Sequence, residues 1–329
     1  MMPVAGKYSR RWTLLGVTRV IWTVALLLAI QVSVVAAQAP TESTGASPPD
    51  STAAPGTLSD STAAARPAAT ASAEKHSLYS RAERGARNFL SDTWWVFSSP
   101  ARLNRNSALA TAAVLGAEAI TYAHDQELYD ATQRNQDVQP FKGLMNFADS
   151  YIEFGFMPTA FKVEAPVALL GYAIKSEPLR QIPVECIESH LIAGALRNIL
   201  KPIVGRAHPY ENLGPRHFEF NEGTSFPSGH TSVLFEVATI VSEHVHSVPV
   251  TVSLYTLAGL GAIQRVESQN HWPSDVLFPA VTGTVIAHTI VRRNAERRAR
   301  DSGATEPTGW TPMFDMGPQG WRVGVQRGF

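Results

Sequence analysis

Apolar side chains recur at helical spacing through most of the chain between residues 107 and 292, interrupted by short polar clusters. Residues 107–123 are Ala-rich and apolar. In 141–153, Phe141, Leu144, Met145, Phe147 and Ala148 return about once per turn, as on an amphipathic helix. Residues 157–175 are apolar with Pro166 as an interruption. Residues 184–200 place Ile187, Leu191, Ala195 and Ile199 on one stripe, with Ile192, Leu196 and Leu200 beside it. Residues 229–246 carry Val233, Val237, Ile240 and Val241 in phase, and residues 249–265 are almost wholly apolar up to Gln264-Arg265. Residues 275–292 carry Val276, Leu277, Val281, Val285, Ile286 and Ile290, with Pro279 as an expected kink. No sustained alternation occurs in the middle of the chain, so the predicted fold is an all-α helical bundle. Alternating Trp321, Val323 and Val325 predict a short strand or hairpin, a β-like tail packed on that bundle. Trp94-Trp95-Val96-Phe97 before Ser98-Ser99-Pro100 predicts a helix or loop lying on the domain.

The first residues have a different organisation. Lys7, Arg10, Arg11 and Arg19 precede the apolar run Val20–Ile30, which ends in Val35-Ala36-Ala37. A basic stretch, an apolar stretch and a small-residue exit predict a secretory signal peptide over 1–37, or else a retained anchor helix. Residues 38–76 are rich in Ala, Thr, Ser and Pro, too poor in large apolar groups to offset ordering entropy, and are expected to form a disordered tether. The helical domain is then 77–298 and the tail 299–329. This places the mature protein across the inner membrane, in the periplasm, with an anchored or integral protein as the alternative. A membrane span needs about 20 predominantly apolar residues. The helical segments only approach that length, and the one after His230 carries Glu236, Glu243, His244 and His246. A secreted bundle able to touch a membrane surface is therefore expected. The basic run Arg292, Arg293, Arg297, Arg298 and Arg300 marks either a cytosolic end or a solvated helix terminus.

Charge and cysteine content narrow the function. The 329 residues hold 28 Lys+Arg and 28 Asp+Glu, a balance that gives no footprint for a nucleic-acid partner. The one cysteine, Cys186, lies in an apolar-periodic run and is expected to be a buried structural thiol. His244 and His246 are two apart, so on a helix they do not share a face, and no metal site is expected there.

Three polar clusters carry the candidate chemistry. Pro227-Ser228-Gly229-His230 stands at a predicted helix start, where free backbone N–H groups and the helix dipole favour an anion. Gly229 lets backbone approach a ligand, Ser228 adds a hydroxyl, and His230 is placed to exchange a proton. In the third cluster His271 and Asp275 stand four apart, so on a helix a carboxylate would orient an imidazole and leave its other nitrogen nucleophilic. Arg265 ends the preceding apolar helix. The first cluster supplies Lys201 and Arg206, with Pro202 expected to end or kink the helix just after Lys201. Together these are residues for binding and transferring a phosphoryl group.

In order and spacing the three clusters resemble the signature of the type 2 phosphatidic acid phosphatase superfamily, which includes bacterial acid phosphatases, lipid phosphatases and vanadium haloperoxidases. The family pattern is Lys, six residues, Arg-Pro; Pro-Ser-Gly-His; and Ser-Arg, five residues, His, three residues, Asp. This chain has Lys201, six residues, His208-Pro209; Pro227-Ser228-Gly229-His230; and Gln264-Arg265, five residues, His271, three residues, Asp275. His208 thus replaces an Arg and Gln264 a Ser. The resemblance implies a phosphatase needing no metal or cofactor. Lys201, Arg206 or His208, Ser228, Gly229 and Arg265 bind phosphate, His271 becomes a phosphohistidine, Asp275 orients it, and His230 protonates the leaving group. The substrate is then a phosphomonoester or a lipid phosphate or pyrophosphate. The same ligands would hold vanadate, as an inhibitor or as the cofactor of a haloperoxidase. A third reading is a non-catalytic envelope binding protein on the same fold.

Overall fold

The computed structural model describes residues 70–102, 104–301, 310–317 and 320–327. Nine α-helices run through the described residues: α1 (Thr70–Phe97), α2 (Arg105–Ala123), α3 (Asp125–Asn135), α4 (Phe141–Asp149), α5 (Met157–Ala173), α6 (Glu177–Val204), α7 (Gly229–Val245), α8 (Val248–Glu267) and α9 (Pro273–Asp301). Strands β1 (Trp310–Gly317) and β2 (Gly320–Arg327) pair antiparallel, Trp310 opposite Arg327 and Gly317 opposite Gly320, and β2 runs beside α2. The all-α bundle with a β-like tail is the architecture that the periodicity predicts. The expected signal peptide lies outside the described residues, as does the tether up to residue 69. Helix α1 starts at Thr70.

Two helix ends are closed by identifiable caps. Asn104 and Ser107 cap α2 reciprocally through bonds of 2.9 and 2.8 Å, which satisfies two of the backbone donors at that start. Helix α6 does not stop at Pro202. Only one turn follows that proline, and Gly205 then closes the helix in the left-handed region (φ 58°), its N–H returning 2.8 Å to the Lys201 carbonyl. A Cβ at Gly205 would stand 1.9 Å from the Glu219 carbonyl oxygen, so the chain can cross there only without a side chain. Pro166 and Pro279 likewise sit inside continuous helices, so neither interrupts its segment.

The core lies where α6, α7, α8 and α9 meet. Phe235, Ala238, Tyr255, Ala258, Ala262 and Ala280 join α7, α8 and α9, and Cys186, Ile240, Ala287 and Val291 join α6, α7 and α9. Cys186 is buried and its thiol is pushed well up, by burial first and then by Glu164, Glu236 and Glu185, which fits the expected structural role.

Helix α6 is rotated from its apolar pattern. Its buried side holds Glu185, Ser189, His190, Ala193 and Arg197, whereas Val184, Leu191, Ile199 and Ile203 are exposed. The stripe through Leu191, Ala195 and Ile199 therefore faces outward. Helix α5 repeats the inversion, with Glu164 buried and Val163, Leu169 and Leu170 exposed. Buried carboxylates find cations within the bundle: His190 bridges Glu236 (2.7 Å) and Glu164 (3.0 Å), and Arg197 meets Glu236 at 3.1 Å. The C-terminal arginines are not simply solvated. Arg293 and Arg297 hold the buried Asp92 of α1, and Arg298 reaches Glu185 of α6 at 2.8 Å. Trp95 packs between Arg102 and Arg293, but Trp94 is 72% exposed and does not pack.

Candidate active site

The three clusters converge at one end of the bundle. Ser228 caps α7, its hydroxyl accepting from Thr231 N–H at 3.4 Å, and its own N–H donates 2.8 Å to the Asp275 carbonyl at the start of α9. The α7 start is thus fixed to the α9 start. A Cβ added to Gly229 would meet nothing within 4 Å, so this turn faces open space. That combination, unpaired N–H groups at a helix start beside an unfilled volume, suits an anion.

Lys201 in the last turn of α6 donates to the Thr224 carbonyl, and His208 approaches the Thr224 hydroxyl at 3.1 Å through Nε2. Nδ1 of His208 donates to the Asn270 carbonyl, the residue before His271. The His208 and His271 rings lie 5.5 Å apart. His208 therefore stands in the site, with both ring nitrogens engaged by protein groups and its face stacked on Tyr210. Arg265 closes α8, and the backbone at 270 and 271 returns N–H bonds to its carbonyl at 3.1 and 3.0 Å. Its Nε is buried with no protein partner. Gln264, in place of the family Ser, donates to Asp149 at 3.0 Å and accepts from Arg265 at 3.4 Å.

His271 and Asp275 do not share a helix face. His271 lies in the loop before α9, whereas Asp275 belongs to that helix's first turn and accepts the Trp272 N–H at 2.9 Å. Their approach is 4.0 Å, Nδ1 to Oδ2, and His271 Nδ1 is otherwise unpartnered. Burial pushes the His271 pKa well below the usual imidazole range, aided by His208, Lys201, Arg265 and His230. A neutral imidazole with an available lone pair is the nucleophilic form. His230 is held down to about 4 by burial, then Arg265 and Lys201, and it stacks on Phe156 with centroids 5.8 Å apart. Lys201 falls to about 8, by burial first and then Arg197, against the pull of Asp275. An entering anion opposes the cationic part of these shifts, raising His230 towards the range where it can donate a proton.

Arg206 is the main correction to the sequence-based site. It is 1% exposed, and its donors are committed: Nε and Nη2 to the Pro215 carbonyl (3.0 and 2.7 Å), Nη1 to Ser274 and Asp275 (both 2.7 Å), and Nη2 to Asp125 (2.5 Å). A guanidinium has five N–H groups, and these five bonds leave none for phosphate. Tyr122, Phe218 and Trp272 pack around it with ring centroids 5.3–5.7 Å from its carbon.

Residues missed in the sequence are Asp125, Thr224, Ser225 and Asn270. Asp125 binds the Ser274 N–H and hydroxyl at 2.8 and 2.6 Å, and Ser225 donates to Asp275. Thr224 and Ser225 adjoin the Pro-Ser-Gly-His turn, a position that hinted at them, but nothing local marked Asp125, 150 residues before Asp275. A cavity of about 460 Å³ beside Arg216 and His217 contains none of the clustered side chains.

The chain is similar to known proteins over part of its length. Residues 184–299 match the model of the PAP2 superfamily. A lipid A 1-phosphatase of Porphyromonas gingivalis is 30% identical over 118 residues, which are 35% of this chain and 24% of that protein. The chain therefore spans about a quarter of the length of the curated relative it matches. Among solved structures, the crystal structure of Aquifex aeolicus LpxE aligns with a TM-score of 0.39 at 22% identity, over 51% of this chain and 94% of that one.

Proposed function

We propose, for a chain whose residues 184–299 match the model of the PAP2 superfamily, that it is a phosphatase acting on a lipid phosphate through a phosphohistidine. The observation that carries the reading is the convergence on His271 of Lys201, His208, His230 and Arg265, beside the open α7 start at Ser228-Gly229. Phosphate binds at that start, its oxygens met by backbone N–H groups, by the Lys201 ammonium and by the unpartnered Arg265 Nε. Nε2 of the neutral His271 attacks phosphorus as the ester P–O bond breaks. His230, protonated once the anion is bound, gives its proton to the leaving oxygen. Water then attacks the phosphohistidine, His230 takes the water proton, and phosphate leaves.

The lipid assignment draws on the inverted helices. Val184, Leu191, Ile199 and Ile203 make an exposed apolar stripe along α6, the helix that ends at Lys201, and α5 adds Val163, Leu169 and Leu170. Exposed apolar faces of this extent mark interaction surfaces, and a bilayer is the partner that also presents the substrate. Among the described residues one helix, α9, is long and apolar enough to cross a membrane, and 61% of that window is buried inside the bundle, as in the core helix of a soluble protein. The relative named a lipid A 1-phosphatase supports the same substrate class. Halide oxidation would draw on the same anion ligands, and no contact in the site favours it over phosphoryl transfer.

The test is hydrolysis by the purified mature chain of a phosphorylated lipid in detergent micelles, against a soluble phosphomonoester, with His271→Ala alongside. Preferential release of phosphate from the lipid, an acid-labile phosphoenzyme in the native protein and loss of both in His271→Ala are expected. Full turnover in His271→Ala would overturn the mechanism, and equal rates on both substrates would overturn the lipid assignment.

A further inference from the structure

Behind His271 the bundle holds a second polar layer that never reaches the anion pocket. Asp275 is fully buried, with Oδ1 on Arg206 and Oδ2 on Ser225 and the Trp272 N–H. Arg206 is shared with a second fully buried carboxylate, Asp125 of α3, which also fixes Ser274, the residue before Asp275. The order in space is His271, Asp275, Arg206, Asp125. Arg206 follows the Gly205 cap of α6, so this layer joins α3, the end of α6 and the start of α9.

We infer that Arg206 and Asp125 are positioning residues that set the charge on the Asp275–His271 pair, Arg206 holding Asp275 ionised and Asp125 tempering the cation. The inference rests on the phosphohistidine reading for its kinetic test but not for its structural one. Two features argue for more than packing. A guanidinium spread over two carboxylates, and caged by three aromatic rings, cannot turn to solvent to neutralise either one. Burial pushes the Asp275 carboxyl above the usual range, and Arg206 is the largest influence opposing that. The charged and titratable groups facing the pair are Arg206, Asp125, Glu118 of α2, Lys201 of α6, and the His208, His230 and Arg265 side chains around His271. Glu118 is raised to about 8, by burial and then by Asp125 and Asp275, so it is uncharged below neutrality and leaves Arg206 and Asp125 as the two opposed charges behind Asp275.

Opposed charges predict opposed shifts. Losing the cation (Arg206→Gln) makes both Asp275 and His271 easier to protonate, and the acid limb of kcat/KM moves up by about one pH unit or more. Losing the anion (Asp125→Asn) moves the same limb down. Arg206→Lys keeps the charge but not the fork, so it lowers kcat while the limb stays near that of the native protein. The same order is read without turnover from NMR titration of ¹³C-labelled histidines in the full chain, with His271→Ala assigning the resonance. There the His271 midpoint rises in Arg206→Gln, and in Asp125→Asn it falls or leaves the folded pH range. Shifts in one direction for both variants, no shift in either, or an Arg206→Lys shift as large as that of Arg206→Gln would overturn the inference. Absence of phosphatase activity in the native chain would instead overturn the functional reading and leave the NMR result standing. Asp125→Asn is close to isosteric and serves where Arg206→Gln fails to fold.

Discussion

His271 Nδ1 stands 4.0 Å from Asp275 Oδ2, within ion-pair range but beyond a hydrogen bond, while Oδ2 already accepts from Ser225 and the Trp272 N–H and Oδ1 from Arg206. In the proposed mechanism, then, Asp275 would act on His271 through its charge rather than through a hydrogen bond. Asp275→Asn preserves shape and removes that charge, and kcat for the proposed phosphatase is expected to fall by about 10²–10⁴-fold with KM little changed. Steady-state kinetics on the variant checks this, and a KM effect with unchanged kcat would place Asp275 outside the chemical step.

Lys201 sets the alkaline side. With its pKa lowered to about 8, it is a cation below that pH and neutral above it. Affinity for an anionic substrate is therefore present at neutral pH and lost as pH rises through about 8. Since kcat/KM reports the free enzyme, its alkaline limb is expected near 8 in the native protein and at higher pH in Lys201→Arg, whose guanidinium stays charged. An unmoved limb in Lys201→Arg would assign it to another group.

Two glycines make a contrasted pair. Gly229 has open space where a Cβ would go, and Gly205 has the Glu219 carbonyl oxygen at 1.9 Å in a left-handed conformation. Gly229→Ala is expected to keep the melting temperature and raise KM or the inhibition constant of vanadate, because the methyl enters the anion volume. Gly205→Ala is expected to lower the melting temperature, since the α6 cap and the crossing at Glu219 both fail. Thermal unfolding and vanadate inhibition of the two variants separate the outcomes.

The helices were legible because the apolar positions of α7, α8 and α9 repeat with helical period and face the core. Helix α6 was legible as a helix but not in orientation. Its stripe through Leu191, Ala195 and Ile199 points outward, and its buried face mixes Cys186, Ile192 and Ala193 with Glu185, His190 and Arg197, which find partners on α5, α7 and α9. Periodicity locates a stripe without saying which environment receives it. The anion turn at Ser228-Gly229-His230 was readable from local chemistry, as was Arg265 at a helix end. Arg206 was misassigned because its five hydrogen bonds go to four residues of α3, α9 and the loop at Pro215, all remote in sequence or without a pattern of their own. Asp125 was unreadable for the same reason.

The buried His190 supplies the last prediction, and it concerns stability. Both ring nitrogens point at carboxylates, Glu236 at 2.7 Å and Glu164 at 3.0 Å, so both donate and the ring is an imidazolium. Burial alone would lower its pKa, but the Glu236 charge and the bonds to both carboxylates outweigh that and raise it to about 9. A group raised in the folded state stabilises fully below its unfolded pKa, about 6.5, and loses that contribution as pH climbs through about 9. Its size is on the order of 3 kcal/mol. Denaturant unfolding should therefore show stability falling between about pH 6.5 and 9 in the native protein. In Glu236→Gln the imidazolium loses its nearest carboxylate, so the slope should flatten while the overall stability drops by about 3–5 kcal/mol, the cost of leaving His190 and Arg197 with an uncompensated buried charge. The same slope in both proteins would mean that another group titrates in that range and that His190 is not charged in the bundle.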